Sequence, residues 1–390
     1  MKKVLLACAL LLVGMAWAND SEYYTSGNQL VPLRQTTIRV TKEVLKIDLR
    51  DDGTAFVDVQ YEFTNPENEA KTILMGFEAA PPYPDGFRML NNMKHPYIQN
   101  FTVEMNGKRL RYNNAISRNG KFKPMNVSGM SLDMGGMQRT SQIGTNNEGQ
   151  NRIEDFSFVY YFNATFEPGI NKIHHTYSYR MTESVNWLYS LDYKLSPAAR
   201  WANKQIDDFT LIVSANKTAK HFNIPRQCVN NVRPEVVRGA GKVRAATQFD
   251  GDMKRNVWEI SLRKGAVSFH IKNFKPSARH ELEIESMTYC FGGYGGNDRL
   301  AHSYDRGEHG SAFLHCISKG GYSDEFVQLI IRNLPYASRG RVFKTKGLQK
   351  FFESCWWYMP DPRYNSNTKD FTKTDWEYVN YKYNKNLNQR

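Results

Sequence analysis

Beyond its first 18 residues the chain has no run approaching the ~20 apolar residues of a membrane-spanning helix, so no transmembrane segment is expected in the mature protein. It has no Cys-x-x-Cys pair, which excludes a thioredoxin-like redox motif and a zinc knuckle. Gly-x-Ser-x-Gly and His-Glu-x-x-His are missing, as are a Walker loop and a dinucleotide fingerprint. Gly129-Met130-Ser131-Leu132-Asp133 comes nearest to the nucleophile elbow and fails at its last position. No long block of Lys and Arg marks a nucleic-acid arm, and no nucleic-acid partner is expected. Helical periodicity is missing before residue 311, apart from a short turn near 197–203, and no internal repeat stands out. Paired carboxylates for glycoside hydrolysis carry no sequence signature, because they need only meet in space. A hydrolase acting on envelope polymers therefore stands as an alternative reading.

What is present describes an exported, folded protein. Lys2 and Lys3, the apolar Val4–Met15 and the small-x-small Ala16-Trp17-Ala18 together predict a signal peptide over residues 1–18. Its removal takes two lysines, so the formal charge falls from +13 to +11 (13 − 2). A basic exported chain can meet anionic glycans and other envelope polymers. The hydrophobic content of 41% and aromatic content of 13% suffice for a buried core, and 390 residues predict two domains by default. Four cysteines remain after processing: Cys228, Cys290, Cys316 and Cys355. In an oxidising compartment they allow up to two disulfides in three pairings, with Cys290–Cys316 favoured because they bracket a glycine-rich stretch.

Period-2 alternation dominates the first three quarters of the chain. Leu45, Ile47 and Leu49 alternate with polar residues, Asp51-Asp52-Gly53 signals a turn, and Val57, Val59, Tyr61 and Phe63 alternate again. Asn106-Gly107 between alternating runs predicts a type I′ hairpin, since both residues tolerate positive φ. From about 117 to 153 the pattern vanishes, as expected of a long exposed loop. Strands are predicted at 156–162 and 170–181, and near 209–214, 257–262, 266–271 and 282–288. This is the pattern of an antiparallel β-sandwich region, over 19–290. Phe291-Gly292-Gly293-Tyr294-Gly295-Gly296 opens a Gly-rich linker over 291–311. Residues 312–390 turn helical: Ser323 caps a first helix, 348–354 forms a second, and Thr372 with Asp375 resembles a capping pair for a last helix through Tyr383. The fold class expected is mainly β with a small α C-terminal domain.

In this last region Arg332-Asn333, Tyr336-Ala337, Gly340 and Phe343, followed by Leu348-Gln349, Phe352, Trp357-Tyr358 and Pro360, resemble the YARHG domain over about 322–383. Ser338 stands where the family usually has Arg, and Arg339 where it has His. Pro335 lies inside the expected helix, where it predicts a kink or an end. The resemblance implies an exported bacterial protein, periplasmic or at the cell surface, without an established activity.

The candidate chemistry is spare. Tyr336, Phe343, Phe352 and Trp357 read as the core of a small helical unit. That leaves Arg339, Arg341 and Trp356 as ligand-binding candidates, guanidinium for anions and indole for a sugar face. The methionines 125, 130, 134 and 137 lack the accompanying His or Cys of a copper site. His302, His309 and His315, with Asp298, Asp305 and Glu308, match no zinc spacing. His174 and His175 point to opposite faces of one strand. No catalytic residue, metal or cofactor is assigned. The expectation is a non-enzymatic envelope-associated protein binding peptidoglycan or another envelope glycan, or a surface protein. A structural component of a surface complex is a further alternative.

Overall fold

The computed structural model describes residues 27–32, 36–79, 98–118, 121–126, 156–181, 189–215, 220–250, 253–277, 281–286 and 322–381. The predicted signal peptide, the Gly-rich linker and most of the predicted long loop lie outside them, as do Cys290, Cys316 and the 302–315 histidines. The described chain is mostly β, with a helical C-terminal unit.

Strands β2 (Arg39–Leu49) and β3 (Thr54–Asn65) form the hairpin that the alternation predicts. Gly53 closes its turn at φ 76°, and the Asp52 carboxylate accepts from the Thr54 amide at 3.0 Å. β5 (Ile98–Met105) and β6 (Lys108–Arg109) pair across Asn106-Gly107, both at positive φ (49° and 78°), as a type I′ turn requires. β10 (Gly169–Arg180) lies between β3 and β5.

A second sheet of five strands runs in the order β1 (Gly27–Pro32), β4 (Lys71–Ala79), β9 (Phe156–Phe166), β7 (Asn113–Arg118), β8 (Lys121–Asn126). It packs face to face on the β3–β10–β5 part of the large sheet. Phe77 and Tyr160 meet Phe101, His175 and Tyr177, and Phe166 meets Phe63. β7 and β8 run into the segment expected to be loop. β8 is an edge strand, the place in a sheet where a proline such as Pro124 is tolerated.

The large sheet has 11 strands. It departs from the antiparallel pattern at one place: β2 pairs in parallel with β12 (Ile206–Ser214), Leu45 opposite Leu211. Two stretches predicted as separate strands, 257–262 and 266–271, are one 22-residue strand, β15 (Met253–Phe274). Its partner β14 (Glu235–Asp250) was not foreseen. β14 occupies one edge of β15 from Met253 to Ser268. The other edge takes β13 (Lys220–Pro225) opposite Val257–Leu262, and then β12 opposite Ala266–Phe274. Beyond β13 lie β16 (Leu282–Ser286) and β11 (Ser190–Tyr193). β15 therefore joins two half-sheets, and it does so by bending at Gly265. Gly265 (φ 97°) faces Gly239 (φ 86°), and a Cβ on Gly265 would stand 1.5 Å from the Arg238 carbonyl oxygen. The two backbones touch where any side chain would separate them.

The C-terminal unit has three helices: α1 (Asp324–Ser338), α2 (Lys346–Ser354) and α3 (Lys373–Val379). It buries its own core, among others Ile330, Leu334, Phe352, Trp357 and Tyr381, distinct from the core of the sheets. The Ser323 hydroxyl accepts from the Phe326 amide, and Thr372 with Asp375 forms a complete capping box. α1 does not end at Pro335 but runs on to Ser338, since a proline so near the C-terminus costs a single ladder bond.

Gly265→Ala should cost more than ~3 kcal/mol, from backbone strain plus the contact with Arg238, and should leave little soluble protein. A thermal midpoint within a degree or two of the parent would show that the bend tolerates a side chain.

Candidate functional site

The signature turn of the helical unit is a complete helix cap. At the end of α1 the Gly340 amide donates to the Ala337 carbonyl at 2.9 Å, and the Arg341 amide reaches back to the Tyr336 carbonyl at 3.0 Å. This is the Schellman arrangement, with Gly340 in the left-handed position at φ 91°. Such caps bring together the side chains two residues after the cap residue, here Arg339, and three before it. Here these are Arg341 and Tyr336, and the guanidinium lies 4.9 Å from the Tyr336 ring centre and 5.4 Å from that of Phe343.

Arg339 turns the other way. Its side chain is only 8% exposed and binds Asp375 with both terminal nitrogens, at 2.7 and 3.3 Å. It also donates to the Pro335 and Asp370 carbonyls and lies 4.4 Å over Phe371. Asp375 is at once the partner of Thr372 in the capping box of α3, so Arg339 ties the end of α1 to the start of α3. A largely buried ion pair with both terminal nitrogens of the guanidinium engaged is a structural joint: removing one partner strands the other.

Trp356 lies elsewhere. Arg244 of β14 sits 4.3 Å over its ring. Arg339, Arg341 and Trp356 therefore face the unit's interior, its surface and the sheet respectively, and do not share one face.

What does share a face with Arg341 is a strip of rings. Tyr336 lies 5.0 Å from Phe371, and Phe371 lies 5.4 Å from Trp376, which is 42% exposed. Tyr364 lies near Tyr336 and Arg341; burial raises its hydroxyl pKa to about 12, so it is a neutral donor. Among the described residues no acidic side chain pairs with Arg341. Phe371 and Trp376 were missed in the sequence. The available signal was a tryptophan beside Asp375, the second member of the Thr372 capping box.

The unit sits on the β14–β15 hairpin. Lys242 donates to the Tyr358 carbonyl at 2.8 Å, and Arg263 to the Met359 carbonyl at 3.3 Å and the Asp361 carboxylate at 3.1 Å. His221 of β13 meets Trp357 edge to face at 5.4 Å, and the Ser261 hydroxyl lies 2.9 Å from its Nδ1.

No disulfide joins described residues. Cys228 is a buried thiol donating to the Glu281 carbonyl, and burial raises its pKa to about 12, which suppresses the thiolate that exchange needs. The Cys355 sulfur is buried in the helical unit, 3.5 Å from the Phe351 carbonyl, so these two cysteines are not joined to each other. No group of three His, Cys, Asp or Glu suited to a metal occurs among the described residues. On the outer face of β11, burial and then the nearby Glu285 raise Asp192 to about 7, while Arg255 pairs with Glu283 and Glu285.

His174 faces outward between Asp58 and Glu104, whereas His175 is fully buried among Tyr61, Phe77, Phe101 and Tyr177. Both His175 nitrogens lack a hydrogen-bond partner. Burial lowers His175 and His221 to about 3, with smaller contributions from His174 and Lys220.

Residues 321–388 match the YARHG domain, and YARHG domains occur in exported proteins. The match covers the helical unit and leaves the β body unassigned. No curated protein matches the chain. Among solved structures, a Legionella pneumophila protein described as a candidate nutrient-binding protein is 17% identical, over 92% of this chain and 98% of that one, at TM-score 0.47. An M1 zinc metallopeptidase of Deinococcus radiodurans is 10% identical over 65% of this chain and 43% of its own, at TM-score 0.25. Baculovirus P35 is 10% identical over 66% and 98%, at TM-score 0.23. At these scores the likenesses carry no functional argument.

Stability should fall as pH drops from about 6.5 toward 3. Over that range the unfolded chain protonates these two imidazoles and the folded protein does not, so each withdraws up to ~1.4 kcal/mol per pH unit. His175→Phe should flatten this acid limb in urea melts between pH 7 and pH 4; an unchanged slope would show that His175 is protonated in the fold.

Proposed function

We propose that the protein is a non-enzymatic, envelope-associated binding protein that holds cell-wall glycan on the strip Arg341, Tyr336, Phe371 and Trp376. The observation that carries this is the strip itself: a cation with no acidic partner among the described residues and an exposed indole, set on one face and pre-ordered by a helix cap. Pyranose rings present C–H faces that stack on aromatic planes, and glycan carboxylates suit a guanidinium held flat. Of the three candidates read from sequence, Arg341 remains a contact residue in this proposal. Arg339 supports the strip from behind, through Phe371 and the α3 cap. Trp356 belongs to the packing on the hairpin.

In this reading residues 1–18 direct export, and residues 291–311 link the β body to the glycan-binding unit. The charge of +13, or +11 after processing, favours anionic polymers at long range. No helix of the described residues is long and apolar enough to cross a membrane.

Purified peptidoglycan should retain the protein at low salt, where electrostatic attraction is least screened. Trp376→Ala and Arg341→Ala should each weaken retention about 10-fold, the equivalent of ~1.4 kcal/mol. Ile170→Thr, at an exposed position on β10, should leave it unchanged. Failure of the parent protein to bind at low salt would remove the glycan reading, and recovery of a specific protein by crosslinking in intact cells would favour a surface partner instead.

A further inference from the structure

The signature glycine of the helical unit has a neighbour from the other half of the molecule. A Cβ on Gly340 would lie 2.6 Å from Arg263 Nη1, 2.8 Å from the Met359 carbonyl oxygen and 3.1 Å from Asp361 Cβ. The guanidinium of a β15 residue thus occupies the space that a side chain at 340 would need. Left-handed geometry alone would favour glycine there; a side chain at 340 would also meet the Met359 backbone carbonyl and displace the Arg263 guanidinium.

From the hairpin two chains of contacts converge on Arg341. In the first, Arg263 binds the Met359 carbonyl and the Asp361 carboxylate, and the Asp361 amide donates to the Gly340 carbonyl at 2.7 Å. Gly340 is the residue before Arg341 in the cap. In the second, Lys242 holds the Tyr358 carbonyl, and the Tyr358 hydroxyl donates to the Arg341 carbonyl. The same hydroxyl also approaches the Gln349 side chain, whose oxygen accepts from the Phe343 amide at 2.7 Å. Both routes end on backbone atoms of the turn that sets Arg341 over Tyr336. Alongside them Arg244 covers Trp356, and His221 packs against Trp357. Arg263 is largely buried, with 13% of its side chain exposed, and Asp361 matches it with 17%. Charged hydrogen bonds at such exposure hold a loop more firmly than surface pairs do.

We infer that Arg263 of β15 is a positioning residue for the binding strip: by clamping residues 359–361 against Gly340 it orders Arg341 and Tyr336, so the β body sets the affinity of the YARHG unit. The inference rests on the glycan reading proposed above. It adds that the β body, through Arg263, is a determinant of binding.

The test uses the full chain and sonicated peptidoglycan fragments. Arg263→Gln should lower affinity about 10-fold, and Arg263→Lys should recover part of it, because an ammonium can still reach a carbonyl or carboxylate. Combined with Arg341→Ala, Arg263→Gln should add little further loss, since the two act on one contact. Independently of ligand, Arg263→Gln should speed hydrogen exchange at the Arg341 and Asp361 amides. If the double variant Arg263→Gln/Lys242→Met binds as tightly as the parent while Trp376→Ala still releases the protein, the inference is overturned and the glycan reading stands. If the parent protein does not bind, the glycan reading falls. Exchange then decides the positioning role: unaltered rates at Arg341 and Asp361 overturn it, and faster rates support it.

Discussion

The contact between Gly239 and Gly265 is the constraint on which the architecture depends. Along one edge the 22-residue β15 pairs first with β13 and then with β12. Between the two stretches it passes through Gly265, whose positive φ breaks the extended path where two backbones meet without side chains. Once β15 is bent, its partner β14 follows it, and the hairpin presents Lys242, Arg244 and Arg263 toward one place. The helical unit packs there. One strand therefore joins the half-sheets and also carries the residue keyed against Gly340.

Charge is handled differently in the two parts of the molecule. The helical unit draws two of its arginines inward or flat: Arg339 is locked to Asp375, and Arg341 lies on rings. The β body buries neutral imidazoles instead. His175 sits among aromatic rings with both nitrogens unsatisfied, and burial holds it unprotonated. An imidazole in that place gives up hydrogen bonds that water would supply, and in exchange it fills a ring-shaped space between the two sheets. His221, whose Nδ1 lies against the Ser261 hydroxyl, is likewise held unprotonated by burial beside Trp357, so acid acts on the sandwich core and on the contact between the β body and the helical unit together.

Local chemistry was legible in the sequence wherever one element decided the outcome. Asp51-Asp52-Gly53, Asn106-Gly107 and the Thr372–Asp375 cap all formed as read, because turn and cap preferences act within four residues. The YARHG unit was legible for the same reason, through closely spaced positions. β14 was not. Its Gly and Ala residues and largely exposed positions give no period-2 signal, and what makes it a strand is the neighbouring β15. Gly265 reads as a breaker in sequence, yet it bends a strand without ending it. The inward turn of Arg339 depends on Asp375, 36 residues away, a distance that pattern does not reach. Phe371 and Trp376 joined Tyr336 only through the packing of α3 on α1.

The parallel pairing of β2 with β12 has a consequence for how the chain reaches this structure. Ser214 and Asp48, joined by a side-chain hydrogen bond there, are 166 residues apart. Pairing strands so distant along the chain requires closing a long loop before any contact rewards it, which slows folding. Until β12 arrives, one edge of the β2–β3 hairpin presents unsatisfied amides and carbonyls to whatever is near. The early life of this protein is thus a period of exposed strand edge, and the half-sheet that ends the exposure is encoded last among the strands.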